Sequence, residues 1–192
     1  MFSGIIKAKA SANKTEKTGN AMRIEFTAPK GFRVSLGESV SIDGICSTVE
    51  KKAGNKFSFY YMAETLKKTT LAQISGSHEF NIERCLTLQS LIGGHLVSGH
   101  IDTVALLKSI ATQDDSKLME FVVDPKFTRY IIYKGSIAVN GVSLTVVSVS
   151  KNSFRVSLIP YTLAHTNLGK LKAGDKVNIE LDLIAKYLEK LR

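Results

Sequence analysis

The chain has 192 residues, 44 % of them apolar and 22 % charged, with a formal net charge of +9. That length suits one large core or two small ones, because domains commonly run from ~50 to ~200 residues, and no apolar run approaches the ~20 residues of a membrane span. Cys46 and Cys85 are too few for a disulfide framework, no Cys or His cluster has metal-ligand spacing, and lysines such as Lys51, Lys52 and Lys56 are scattered rather than striped with aromatics. A basic β-barrel that binds nucleic acid is the reading the charge favours and this scatter opposes.

The opening Met1-Phe2-Ser3-Gly4-Ile5-Ile6-Lys7 lacks the basic and long apolar regions of a secretory signal, so a cytoplasmic protein is expected. Asp43-Gly44 offers residues that tolerate positive φ, the chemistry of a tight turn between strands. In the next segment Phe57, Phe59 and Tyr61 alternate with Lys56, Ser58 and Tyr60, a half-buried strand. Residues 63–74 read as a short helix, as do residues 162–171, and Pro125 opens a third helix through Ile131. Asn140-Gly141 repeats the tight-turn chemistry, and Val177, Ile179 and Leu181 alternate with Lys176, Asn178 and Glu180 as a second half-buried strand. Short strands at this spacing suggest small barrels or sandwiches. The tail places Leu183, Ile184, Tyr187, Leu188 and Leu191 on one helical stripe, opposite Lys186, Glu189 and Lys190. That stripe packs either on another subunit or back on its own barrel.

Self-comparison orders these pieces. Gly37 to Val49 aligns with Lys134 to Val146 at an offset of 97 residues, and the same offset pairs Glu64-Thr65-Leu66 with Tyr161-Thr162-Leu163 and Asn81-Ile82-Glu83 with Asn178-Ile179-Glu180. Ser3-Gly4-Ile5-Ile6 matches Ser98-Gly99-His100-Ile101 at an offset of 95. The expected units are therefore residues 1–91, residues 92–182 and a terminal helix over 183–192.

Taken together, the opening hexapeptide, Asp43-Gly44-Ile45-Cys46-Ser47-Thr48-Val49, Gly93-Gly94-His95-Leu96-Val97-Ser98-Gly99-His100-Ile101-Asp102, Asn140-Gly141-Val142-Ser143-Leu144-Thr145-Val146 and Ile159-Pro160-Tyr161-Thr162-Leu163 give the chain a resemblance to the riboflavin synthase family. The resemblance runs end to end, departing at Ser3, Asp43 and Ser47, where the family favours Thr, Asn and Leu. It implies a mainly all-β fold: two tandem, duplicated six-stranded Greek-key barrels with short helices and a C-terminal α-helix. It implies a transferase of riboflavin biosynthesis that dismutates two 6,7-dimethyl-8-ribityllumazine molecules to riboflavin and 5-amino-6-(ribitylamino)uracil, with no cofactor and no metal. It also implies a homotrimer with its site between subunits, no partnership with membrane or nucleic acid, and association with a lumazine synthase as a further expectation. A non-catalytic lumazine or flavin carrier of the same superfamily is the alternative.

Carried over residue by residue, the family's substrate site implies a first pocket of Gly4, Ile5, Ile6, Cys46, Ser47, Thr48, Tyr60, Tyr61, Met62, Ala63, Glu64 and Thr65. The second would use Gly99, His100, Ile101, Lys134, Ser143, Leu144, Thr145, Ile159, Pro160, Tyr161, Thr162, Leu163 and Ala164. His100 replaces Ile5 of the first repeat and is expected to move a proton or touch ligand. Cys46, whose repeat mate is Ser143, is either a nucleophile or polar contact or a small buried hydrophobe. Ser143 and Thr145 are expected in catalysis, and Asp182 as the orienter of a hydroxyl. Lys134 either stabilises developing negative charge or ends a strand in solvent. His95, in its Gly-Gly-His turn, is assigned to structure.

Overall fold

The computed structural model describes residues 1–74 and 78–191. Each half closes a six-stranded antiparallel barrel. In the first, β1 (Ala8–Thr18), β2 (Ala21–Thr27), β3 (Ser39–Ile42), β4 (Ile45–Ala53), β5 (Lys56–Tyr61) and β6 (Glu79–Arg84) run β1-β2-β5-β4-β3-β6 around the wall. In the second, β7 (Thr103–Gln113), β8 (Ser116–Val122), β9 (Ser136–Val139), β10 (Val142–Val149), β11 (Ser153–Leu158) and β12 (Lys176–Leu181) run β10-β11-β8-β7-β12-β9, the same cyclic order. Closure leaves neither sheet with an unpaired edge.

Alternation fills the barrels. Met22, Ile24 and Phe26 of β2 turn inward with Phe57 and Phe59, and Phe80 meets Phe26 edge-on with ring centroids 5.1 Å apart. The second core is more aliphatic, around a stacked Phe121–Phe154 pair. Both β3–β4 and β9–β10 hairpins turn on two residues of positive φ, Asp43 (47°) with Gly44 (83°) and Asn140 (44°) with Gly141 (76°), the signature of a type I′ turn.

Three expectations are revised. The helices expected over 63–74 and 162–171 each break in two: α1 (Ala63–Lys68) is followed by a 3₁₀ turn over Thr70–Gln73, and a later helix over Pro160–His165 by a 3₁₀ turn over Asn167–Lys170. Thr69 and Thr166 sit extended at the breaks; each hydroxyl accepts from the N–H two residues on and donates to the carbonyl four residues back, which ends the helix. The helix opened by Pro125 is a single turn, α2 (Pro125–Thr128), capped by Asp124, so the Pro160–His165 helix is α3. In β12, Asn178 and Glu180 are buried rather than solvent-facing, because the outer face of that strand meets the other barrel.

There Asn81 and Asn178 form a near-symmetric staple. Asn81 donates its amide to the Asn140 carbonyl and Asn178 donates to the Asp43 carbonyl, both at 3.0 Å. Their own Oδ1 atoms accept from the Asn167 and Thr70 N–H groups at 2.7 and 2.9 Å. Symmetry fails at Asp43: its carboxylate also accepts from the Asn167 amide and sits 2.8 Å from His78 Nε2.

The terminal helix α4 (Leu183–Leu191) docks by its polar side. Lys186 pairs with Asp102 at 2.9 Å, Glu189 lies 3.6 Å from Arg129, and Ala185 is buried. Ile184, Tyr187, Leu188 and Leu191 face outward, each at least 60 % exposed. Among the described residues no helix is long and apolar enough to cross a membrane.

Candidate active site at the barrel junction

Two arms cross between the barrels. Phe2 and Val97 pair antiparallel, exchanging N–H···O bonds of 2.7 and 3.0 Å. Each arm is then gripped by a buried glutamate at the end of its own barrel's last strand. Glu83 accepts from the Ser3 N–H (2.8 Å), the Ser3 hydroxyl (2.7 Å) and the Gly4 N–H (3.0 Å). Glu180 accepts the same set from Ser98 and Gly99 at 2.6, 2.7 and 2.8 Å. Burial pushes the Glu83 carboxyl above the usual range, against the pull of these donors.

Past the glutamates each arm reaches the opposite barrel. The Gly4 carbonyl accepts from the Ser143 N–H, and the Gly99 carbonyl from the Cys46 N–H, both at 2.8 Å. Ile6 packs against the second core and Ile101 against the first. Only glycine fits at the crossings: φ is +74° at Gly4 and +83° at Gly99, and a Cβ at either would lie 2.6 Å from the Cβ of Ser143 or Cys46.

This geometry corrects the expected grouping by halves. Gly99, His100 and Ile101 lie on the first barrel beside Cys46, and Gly4, Ile5 and Ile6 lie on the second beside Ser143. The cause is mechanical: an arm anchored where its own last strand ends is already at the junction, and its next residues have only the facing barrel to meet.

Two lips result. The first joins Cys46 and exposed Thr48, Tyr60, Met62, Ala63, Glu64 and half-buried Thr65 to the arm bearing exposed His100. The second joins Ser143, Leu144, exposed Thr145 and the Ile159–Ala164 segment to exposed Ile5. Ile159 and Tyr161 are 59 and 68 % exposed and Met62 65 %, so both lips are open in the single chain. Ser47 and Tyr61 turn the other way: their hydroxyls bond each other at 2.9 Å inside the first barrel, leaving only their backbone for a ligand.

The second lip holds a pair that the sequence reading divided. His95 Nδ1 lies 2.7 Å from Ser143 Oγ, while the His95 N–H donates to the Ser3 carbonyl. Burial holds the imidazole below its usual pKa, with the charge of Asp182 acting in the opposite direction. A neutral imidazole at pH 7 can accept the serine proton. Asp182 also accepts from the Ile184 N–H at 2.9 Å as the cap of α4. Lys134 adopts φ 63°, where its repeat mate is Gly37 at 78°, and its N–H donates to the Val146 carbonyl, one residue beyond Thr145. A non-glycine residue held there is strained, a mark that often accompanies function.

Neither Glu83, Glu180 nor the asparagine staple stands out in the sequence as a site. Their signal was the repeat, which aligns Asn81-Ile82-Glu83 with Asn178-Ile179-Glu180 although strand alternation put the polar members in solvent.

Comparison with known proteins agrees with this architecture. The model of the lumazine binding domain family matches residues 3–85 and again 98–182. The chain is 40 % identical over 190 residues to a riboflavin synthase of Actinobacillus pleuropneumoniae, spanning 98 % of this chain and 88 % of that one. It is 36 % identical over 189 residues to the riboflavin synthase of Bacillus subtilis (98 and 88 % covered) and 40 % over 185 residues to that of Escherichia coli (95 and 87 %). Crystal structures of LumP complexed with 6,7-dimethyl-8-(1'-D-ribityl) lumazine and with riboflavin superpose with TM-scores of 0.84 and 0.86, at 25 and 26 % identity. They cover 94 % of this chain and 98 and 99 % of their own.

Proposed function

The chain belongs to the riboflavin synthase family, and on that premise we propose that it converts two molecules of 6,7-dimethyl-8-ribityllumazine into riboflavin and 5-amino-6-(ribitylamino)uracil by transferring a four-carbon unit from one to the other. The observation that carries the reading is the pair of lips. They occupy equivalent places on two repeated barrels, as two copies of one ligand require, yet present different groups: Cys46 with the His100 arm on one, Ser143 with His95 on the other.

The two products together contain every atom of the two substrates, so the exchange is balanced without an outside oxidant or reductant. The lumazine ring is electron-poor, and its methyl proton and its susceptibility to nucleophiles are its own. What remains for the protein is to hold two rings in register and to move protons. In this reading the Ser143 hydroxyl passes its proton to neutral His95, His100 serves the first lip, and the Lys134 ammonium faces developing negative charge. Backbone groups of the 62–65 and 159–164 segments read the ring edge, aided by the lack of a side-chain cap at Met62 and Ile159, and the Thr48 and Thr145 hydroxyls meet the ribityl chain.

The same proposal takes the enzyme to be a cytoplasmic homotrimer in which the first lip of one subunit closes on the second lip of another. Two open lips carrying exposed Ile5, Met62, Ile159 and Tyr161, and an outward apolar face on α4, support it. A carrier that merely binds lumazine is the second reading, favoured by the LumP likeness.

Incubation of the purified protein with the lumazine alone decides between them. Growth of flavin fluorescence that survives chelator and dialysis supports the enzyme, and Ser143→Ala should slow it by roughly 10²-fold. Stoichiometric lumazine binding with no flavin formed would make the protein a carrier.

A further inference from the structure

The segment carrying His100 is held at both ends, and one of the holds has no counterpart in the other half. At its start, Glu180 grips Ser98 and Gly99 as Glu83 grips Ser3 and Gly4. At its end, the Asp102 N–H donates to the Ile179 carbonyl at 2.9 Å, as the Lys7 N–H donates to the Ile82 carbonyl at 3.1 Å. The side chains then diverge. Asp102 Oδ2 accepts from the Leu181 N–H at 2.8 Å, and both carboxylate oxygens accept from Lys186 Nζ, at 3.1 and 2.9 Å. Lys7, the repeat mate of Asp102, makes no ion pair among the described residues. Lys186 stands on α4, outside the repeat altogether.

The pair is also better shielded than most ion pairs among the described residues, its side chains being 26 and 20 % exposed. It therefore keeps more of its Coulomb attraction than a solvated surface pair. A loop of five residues fixed at both ends has few conformers, whereas a loop fixed at one end swings about that end. His100 lies between the two holds.

We propose that Lys186 and Asp102 are a positioning pair for the reaction, fixing the exit of the 98–102 segment so that His100 keeps one place on the first barrel's lip. The proposal rests on the reading of His100 as a group that faces substrate. Neither Lys186 nor Asp102 need touch the lumazine; they act through the arm. Displacing a reacting group by about 1 Å costs up to roughly 10²-fold in rate, so a modest loosening is enough to be measured.

The test uses the full-length protein. Lys186→Gln and Asp102→Asn should each lower kcat by about tenfold while KM for the lumazine stays within about twofold, since binding surfaces are untouched and only placement is lost. Lys186→Arg should restore most of the rate. In a double-mutant cycle, Lys186→Gln should add little to the loss already caused by His100→Ala, because it has then lost the group through which it acts. Additive losses, or a Lys186→Gln enzyme at the native rate beside an impaired His100→Ala enzyme, overturn the positioning role. A His100→Ala enzyme at the native rate overturns instead the reading of His100 on which it rests. Should Lys186→Gln change the sedimentation of the protein, the comparison moves to Lys186→Arg against Asp102→Asn, which leaves every α4 side chain in place and keeps an acceptor for the Leu181 N–H; an Asp102→Asn enzyme of native sedimentation and native rate overturns the positioning role.

Discussion

The carbonyl of Gly99 accepts a 2.8 Å hydrogen bond from the amide of Cys46, so a residue preceding the second barrel's first strand helps to build the lip of the first. The crossing is tight enough that a single methyl group should report on it. Gly99→Ala places a Cβ 2.6 Å from Cys46 Cβ in backbone of φ +83°. Left-handed backbone alone costs an alanine about 1–2 kcal/mol, and the overlap adds to it. Gly19→Ala, at φ +58° with nothing within 4 Å, supplies the control. Thermal melts should show Gly99→Ala the more destabilised of the two, with turnover falling further than its stability explains.

Lys134 should show opposite signs for stability and activity. It occupies φ 63° where its repeat mate is glycine, so Lys134→Gly relieves strain and should stabilise the fold by up to about 1 kcal/mol. Turnover should fall because the ammonium is gone. A stabilised variant at full rate would remove Lys134 from the chemistry.

His78 and Asp43 should make part of the stability depend on pH. Burial would lower the His78 pKa, but the Asp43 hydrogen bond and charge outweigh it and hold the imidazole above its ordinary value. A folded-state pKa raised above the unfolded one gives stabilisation that is complete below the ordinary imidazole value and is lost as pH rises through the raised one. Against the native protein, His78→Gln should therefore be less stable at pH 5.5–6 by about 0.5–1 kcal/mol, a modest figure because a third of the side chain meets solvent. The difference should fade in melts on the alkaline side.

The outward face of α4 can be tested without disturbing its dock. Ile184→Lys with Leu188→Lys alters two exposed side chains and leaves the Lys186–Asp102 pair in place. Sedimentation should show a smaller assembly built of folded barrels. Unchanged sedimentation would mean that subunits meet elsewhere.

A fragment of residues 1–90 keeps its own arm but lacks the one that covers Cys46. Two copies can satisfy each other by laying residues 1–7 of each on the Cys46 lip of its mate, as the halves of the full chain do. The fragment should sediment as a dimer that binds lumazine with little turnover, and Gly4→Ala should return it to monomers.

How much of this was legible follows from what a repeat encodes. The offset of 97 residues located both barrels, both tight turns and the matched pair Cys46 and Ser143, because equivalent positions are a property of sequence alone. Which barrel an arm touches is not: Gly4 and Gly99 align whether the arms stay home or cross, and only the anchoring at Glu83 and Glu180 decides. His95 resembled a turn residue because its partner Ser143 is 48 positions away. Alternation alone sends Asn178 and Glu180 to solvent, because it distinguishes two faces of a strand but not water from a second barrel.

Crossed arms also bear on descent. A lone barrel with such an arm would have met an identical copy across a true twofold axis, and in that arrangement any change at one lip is copied at the other. Joining two copies in one chain abolished that constraint. Cys46 could then part from Ser143, His100 from Ile5 and Asp43 from Asn140, while the geometry of exchange stayed the same. Two copies of one molecule laid on such a pair of lips meet different groups from the start, so giver and taker are set by place rather than by chance.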